Sequence, residues 1–264
     1  MQWRKFAKNS TLMGMQAALP HRIPSNLGKS SLPGEPRERL IVALDVSTSA
    51  AAQKVVKAVG DSAFTYKVGM QLYTAEGPQA VRDLVAAGRR VFLDLKYHDI
   101  PNTVAAAVRE AARLGVSMLT VHATGGDKMM RAAVDAARSA NPALIVLAVS
   151  VLTSLNQNDL ERVGMQGTVL DEVLRVSALA LENGCQGVVA SPHEAAALRK
   201  KLGNDFIIVT PGVRPAGSGH GDQARVLTPG EAIAAGASYI VVGRPITEAA
   251  DPAAEARAIL GQIG

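Results

Sequence analysis

Cys185 is the only cysteine in 264 residues, which excludes an intrachain disulfide or a thiolate metal cluster and points to a reducing, cytoplasmic setting. No apolar run reaches the roughly 18 residues that a membrane span needs. The N-terminal segment also lacks the apolar core and small-residue cleavage site of a signal peptide, so no membrane partner is expected. Acidic residues are missing from the first 34 positions, where Arg4, Lys5, Lys8, Arg22 and Lys29 account for the whole formal charge of +5. The remaining 23 basic and 23 acidic residues cancel, leaving no basic footprint of the kind duplex binding requires. No nucleic-acid partner is expected. The basic, acid-free segment has some likeness to an organelle transit peptide, but Pro20, Pro24, Pro33, Gly34 and Pro36 interrupt it. Residues 1–37 read as a disordered or loosely attached extension ahead of one domain at 38–264.

Aromatics make up only 3% of a chain that is 48% hydrophobic, so the core must be built from Ala, Val and Leu, which suits helices packed on a parallel sheet. Short β-branched runs recur at 40–44, 64–68, 91–95, 118–121, 144–149, 187–190, 206–209 and 239–242. Between them, segments at 50–59, 78–87, 104–114, 128–137, 169–182, 194–202 and 249–260 carry apolar residues at helical spacing. Gly88, Gly115, Gly184, Gly203 and Gly236 stand near the predicted helix ends, where a left-handed stop is expected. Eight strand-then-helix units predict a (β/α)₈ TIM barrel, a single domain of the α/β class. A doubly wound nucleotide-binding sheet would want a glycine-rich turn after its first strand, and that turn reads Asp45-Val46-Ser47-Thr48.

In such barrels chemistry collects at the C-terminal ends of the strands. The predicted strands end in Asp45, Lys67, Asp94 and Lys96, His122, Ser150 and Thr153, Ser191, Arg214, and Gly243-Arg244. Alternation puts Asp94 and Lys96 on one face of the third strand, and Asp99 follows within the same Asp94-Leu95-Lys96-Tyr97-His98-Asp99 stretch, just before a helix opening at Pro101-Asn102-Thr103. Opposite charges crowded at the end of an apolar element form a candidate catalytic site. Gly243 lets the chain approach a ligand closely and Arg244 offers a fork of donors, so the last two strands suggest a phosphate, over which Arg214 and Gln223 could close. His193 and His220 have no acidic partner at metal-ligand spacing, and no zinc site is expected.

Ala43-Leu44-Asp45, Tyr66-Lys67-Val68-Gly69, the block from Phe92 through Asp94-Leu95-Lys96-Tyr97-His98-Asp99-Ile100-Pro101-Asn102-Thr103, Leu152-Thr153-Ser154, Thr210-Pro211-Gly212-Val213-Arg214-Pro215 and Val242-Gly243-Arg244 together resemble the orotidine 5′-phosphate decarboxylase family of the bacterial type. The resemblance spans residues 40 to about 260 and leaves out the N-terminal extension. It implies loss of CO₂ from C6 of the orotate ring in the last step of UMP synthesis, with no metal or organic cofactor. Lys96 then matches the residue that stabilises and protonates the C6 carbanion, Asp94 the carboxylate near the departing CO₂, and Lys67 and Asp99 the other members of an alternating charge network. Asp99 and Thr103 match residues that reach into a neighbouring subunit's site, which implies a homodimer. Asp45 and Lys67 match ribose contacts, Thr153 the contact to the pyrimidine amide edge, and Arg214, Gln223, Gly243 and Arg244 the phosphate end. Gly217–Gly221 becomes a candidate lid hinge, and Ser150 stands where many relatives have Thr.

On this reading His98 supports its loop, His122 is satisfied by its surroundings, and Cys185 is a packed small hydrophobe on a helix. One rival is a Mg²⁺-dependent sugar-phosphate lyase of the same superfamily, which would place an acid where this chain has Lys67, a cation that repels the metal. Another is a non-catalytic phosphate-binding barrel, which would show erosion of the charge network, whereas all four members are intact.

Overall fold

The computed structural model describes residues 33–215 and 227–264. Each of the eight apolar runs forms a strand: β1 (Leu40–Ala43), β2 (Thr65–Gly69), β3 (Arg90–Tyr97), β4 (Met118–His122), β5 (Ile145–Val149), β6 (Gly187–Val189), β7 (Ile207–Thr210) and β8 (Tyr239–Val242). Every strand pairs in parallel with its sequence neighbours, and β8 pairs back onto β1, so the sheet closes into a barrel with no free edge.

The helices within the described residues are α1 (Pro36–Arg39), α2 (Ser49–Val59), α3 (Met70–Glu76), α4 (Gln79–Ala86), α5 (Pro101–Arg113), α6 (Gly126–Ala140), α7 (Gln157–Arg162), α8 (Val169–Glu182), α9 (Pro192–Leu202), α10 (Pro229–Ala234), α11 (Arg244–Thr247) and α12 (Pro252–Ile263). The longer ones match the helical periodicity. The periodicity did not reveal α1, α3, α7, α10 and α11, which are too short to present a full apolar stripe. The glycines expected to stop helices do so in positive-φ conformations, from 73° at Gly88 to 107° at Gly236. Residues 34–37 belong to the folded body: the Glu38 carboxylate accepts from the Gly34 amide at 2.9 Å, and the Arg37 guanidinium lies 4.9 Å from the Phe64 ring centroid.

Alternation along the strands sorts the apolar residues into two layers. Leu40, Val42, Leu93, Leu119 and Val121 face outward and pack against the helices, whereas Ile41, Ala43, Phe92, Met118, Leu147 and Val209 fill the barrel interior. Each Leu, Ile, Val or Phe so buried stabilises the fold by about 1.5–3 kcal/mol, which sets the strand orientation firmly. Toward the C-terminal ends of β2 and β3 the inward positions pass to Lys67, Asp94 and Lys96, which line a recess there.

Where strands crowd most tightly a side chain is not tolerated. A Cβ on Gly187 of β6 would fall on the carbonyl oxygen of Ile207 in β7 and 2.6 Å from the Ile207 Cβ, so this glycine is required for space. Gly187→Ala should lower stability by about 2–3 kcal/mol in urea unfolding, as overpacked cores do; unchanged stability would mean that the β6–β7 ladder yields freely.

Candidate active site

The recess is built from the inward-facing positions of the strand ends. In β2, Tyr66 and Val68 point outward into the helix layer, which turns Lys67 inward. Its Nζ lies 2.8 Å from Oδ1 of Asp45, just beyond β1, and the lysine side chain is only 12% exposed. Gly69 is the next inward position. A Cβ there would lie 2.8 Å from Lys67 Nζ and 3.4 Å from Asp45 Oδ1, while its φ of −94° suits any residue. A side chain at this position would oblige the Lys67 ammonium to shift from where it meets Asp45.

β3 runs two residues further than the apolar run at 91–95, because its end is irregular. Leu93 is paired with Leu119 of β4, and the next pair is Tyr97 with Val121. Three residues of β3, Asp94, Leu95 and Lys96, therefore stand opposite the single residue Thr120. Lys96 absorbs the surplus length with φ of +53°, and it is the only non-glycine residue with positive φ among those described. Leu95 and Tyr97 still pack outward, so Asp94 and Lys96 share the inward face as alternation predicts. Lys96 Nζ donates to Asp94 Oδ2 at 2.9 Å, and both side chains are largely sheltered. The Thr120 hydroxyl, fully buried, donates to the other carboxylate oxygen, Asp94 Oδ1, at 2.9 Å and accepts from the Lys96 backbone amide at 2.9 Å.

These groups open onto a cavity of about 530 Å³, within the range of small-molecule sites. Ala43, Phe92, Val189, Val209 and Val241 give it an apolar floor; Asp45, Lys67, Asp94 and Lys96 line one wall. Thr153 lies at the mouth, and Arg214, Gly243 and Arg244 stand at the end formed by the loops after β7 and β8. The Arg214 amide donates to the Leu227 carbonyl at 3.1 Å, which ties down the start of the β7 loop. Gln71 and Glu248 also line the cavity and were not singled out from the sequence. Gln71 lies on α3, and its amide donates to the Ser47 hydroxyl at 2.9 Å.

Other sequence-predicted residues fall elsewhere. Asp99 and Thr103 are exposed and do not line this chain's cavity; Asp99 Oδ1 accepts from the Ile100 amide at 2.6 Å. Within one chain, then, the charges form two pairs, Asp45 with Lys67 and Asp94 with Lys96, in place of one alternating row. Gln223 and the Gly217–Gly221 stretch lie outside the described residues. Ser150 and Ser191 hold structure: the Ser150 hydroxyl donates to the Val189 carbonyl at 2.9 Å, and Ser191 caps α9. Cys185 is packed in the core, but on the turn between α8 and β6 and not on a helix, because the asparagine and glycine at 183–184 have already ended α8. Burial pushes its thiol up to about 12, away from thiolate chemistry. Among the described residues, no three His, Cys, Asp or Glu side chains converge as a metal cluster. No helix among them is long and apolar enough to cross a membrane.

His98 and His122 stack beside this wall, ring centroids 5.2 Å apart, and Thr124 Oγ1 lies 2.7 Å from His122 Nδ1. The His122 imidazole is held below its ordinary 6.5, first by burial and then by His98 and Lys96. Below about pH 6.5 the unfolded chain therefore takes up a proton that the folded chain refuses until the lower value is reached, so stability present above that pH is lost as pH falls. His122→Gln should shrink the drop in melting temperature between about pH 7 and pH 5. Equal drops in the two proteins would show that His122 titrates freely.

Comparison with known proteins supplies a family for this geometry. Residues 38–259 match the family described as orotidine 5′-phosphate decarboxylase / HUMPS. The chain is 53% identical over 233 residues to orotidine 5′-phosphate decarboxylase of Moorella thermoacetica, covering 86% of this chain and 92% of that one. It is 54% identical over 225 residues to the enzyme of Anaeromyxobacter dehalogenans, covering 85% and 98%. Among solved structures, the orotidine 5′-phosphate decarboxylase of Lactobacillus acidophilus superposes with a TM-score of 0.78 at 38% identity, over 86% of this chain and 99% of that one. That of Pyrococcus horikoshii OT3 does so at 0.69 and 28%, over 85% and 98%. With a closed barrel, paired charges at its strand ends and a match over nearly all of residues 38–264, the chain belongs to the orotidine 5′-phosphate decarboxylase family and converts orotidine 5′-phosphate to UMP and CO₂ in pyrimidine biosynthesis.

Proposed function

We propose that Lys96 is the residue on which this decarboxylation turns, with Asp94 beside it and Lys67 as the second cation of the site. Loss of CO₂ from C6 leaves an electron pair in the plane of the ring, where the π system cannot delocalise it. A fixed positive charge held close to that carbon lowers the barrier, and the same ammonium can then deliver the proton that completes UMP. The supporting observation is that both ammonium groups open onto one apolar-floored cavity, each held by its own carboxylate at 2.8–2.9 Å. On such a floor charge is poorly screened, so the attraction between Lys96 and a developing carbanion is far stronger than it would be in water. Asp45 and Lys67 take the ribose hydroxyls, Thr153 the amide edge of the pyrimidine, and Arg214, Gly243 and Arg244, with Gln223, the phosphate. Binding energy at that remote phosphate contributes to ordering and desolvating the ring.

Asp99 and Thr103 complete the site from a second copy of the chain, in a cytoplasmic homodimer. Their exposure outside this chain's cavity supports that role, as does the solvent-facing Ile100 between them, 67% exposed. No metal enters the mechanism: Lys67 occupies the position at which a metal-dependent relative would need an acid, and its ammonium opposes a divalent cation.

CO₂ release from orotidine 5′-phosphate should continue unchanged in EDTA-treated protein, and Lys96→Ala should lower kcat/KM by at least roughly 1,000-fold. Loss of activity to EDTA, or an unaltered rate in the variant, would refute the assignment. For the shared site, inactive Asp94→Asn and Asp99→Asn proteins should recover about a quarter of the wild-type sites when mixed at equal amounts and allowed to exchange subunits. Mixed dimers that form but stay inactive would show that Asp99 serves no neighbouring site.

A further inference from the structure

Thr120 has no place in the functional reading of the sequence, and it does not line the cavity. It is nonetheless fully buried on the inward side of β4, between Met118 in the barrel floor and His122 at the mouth. Its single hydroxyl is committed on both sides. It accepts from the Lys96 amide at 2.9 Å, so its one proton is directed to Asp94 Oδ1, also at 2.9 Å. Asp94's other oxygen is taken by the Lys96 ammonium at 2.9 Å. A closed ring results: hydroxyl to carboxylate, ammonium to the same carboxylate, and the backbone of that lysine back to the hydroxyl.

Two physical demands meet at this ring. The first is backbone strain. Three residues of β3 bulge opposite Thr120, and Lys96 sits at φ of +53°, a conformation that lysine does not hold without outside restraint. The bulge pulls the Lys96 amide off the regular ladder, and the threonine oxygen replaces the missing acceptor. The second is side-chain aim. A carboxylate bonded through one oxygen alone can swing about its terminal torsion, whereas hydrogen bonds to both oxygens fix the plane of Asp94 and, through it, the direction of the Lys96 ammonium.

We infer that Thr120 is a positioning residue for the decarboxylation: its hydroxyl locks the left-handed Lys96 backbone and the Asp94 carboxylate into one rigid unit that aims the ammonium at the reacting carbon. It touches no substrate and acts only through these two residues. The inference rests on the roles proposed above for Lys96 and Asp94. Misplacing a reacting group by about 1 Å is enough to lower a rate on the order of 100-fold. The phosphate and ribose contacts lie on other strands and should not notice the loss.

Thr120→Val keeps the volume and removes both hydrogen bonds; Thr120→Ser keeps the hydroxyl. In steady-state assays, Thr120→Val should lower kcat roughly 30-fold or more while KM and the dissociation constant for UMP stay within about 3-fold. Thr120→Ser should restore kcat to within about 3-fold of wild type. If Thr120→Val does not fold, Thr120→Cys, close in volume with a thiol that is only a weak donor and acceptor, should show the same loss. Lys96→Ala is assayed in parallel. Should Lys96→Ala collapse activity while Thr120→Val keeps wild-type kcat, or should Thr120→Ser lose as much as Thr120→Val, the positioning role is overturned and that of Lys96 stands. Should Lys96→Ala itself be active, the reading beneath the inference falls first.

Discussion

Two ammonium groups and two carboxylates are held at one end of an apolar barrel, and the rest of the structure serves that arrangement. A charge taken partly out of water is costly unless it is met by an opposite charge and by hydrogen bonds. Each lysine therefore comes with its own acid, Asp45 for Lys67 and Asp94 for Lys96. The pairing also limits what can stand nearby. A Cβ on Gly69 would displace the Lys67 ammonium from its present position, and Asp94 spends its second oxygen on Thr120 because an unmet lone pair in a sheltered wall would be destabilising.

The barrel supplies what this arrangement needs. Its interior layer of Ile41, Phe92, Met118 and Leu147 closes the floor, so the charges stand above a surface that screens them poorly. Closure of β8 onto β1 brings Gly243 and Arg244 to the same rim as Asp45 and Lys67. On the proposed reading, a phosphate at one end and a reacting ring at the other would share one scaffold, and the energy of the first contact would act on the second. The one strained non-glycine residue among those described, Lys96 at the end of β3, belongs to one of the two charge pairs of the cavity wall. Strain of this kind survives only where neighbours over-determine the geometry, and here Thr120 and the outward packing of Leu95 and Tyr97 do so.

The strands, and the longer helices between them, were legible because hydrophobic period is a local property and each run is long enough to declare it. The charged wall of the candidate site was legible for a related reason: polar residues at the ends of apolar runs stand out against their surroundings, as Asp94, Lys96 and Lys67 do. Ser150 and Ser191 stand out in the same way yet serve the fold, since a hydroxyl at a strand end satisfies a neighbouring backbone group as readily as it meets a ligand. Thr120 was visible in principle, as the polar inward position of β4. Threonine is common in strands, and nothing local marked this one. Gln71 was hidden because the short helix α3 that carries it gives no periodic signal.

The sequence by itself determined the number of strands, which side chains face inward, and that acids and bases end three successive strands, because alternation and strand length follow from the backbone's own geometry. Only the tertiary structure decided who pairs with whom. Lys67 finds Asp45 across 22 residues of chain and Thr120 finds Asp94 across 26, and those meetings depend on how parallel neighbours slide into register. The two surplus residues at the end of β3, and the left-handed lysine that accommodates them, likewise arise from one strand laid against another, a relation that no single stretch of chain contains.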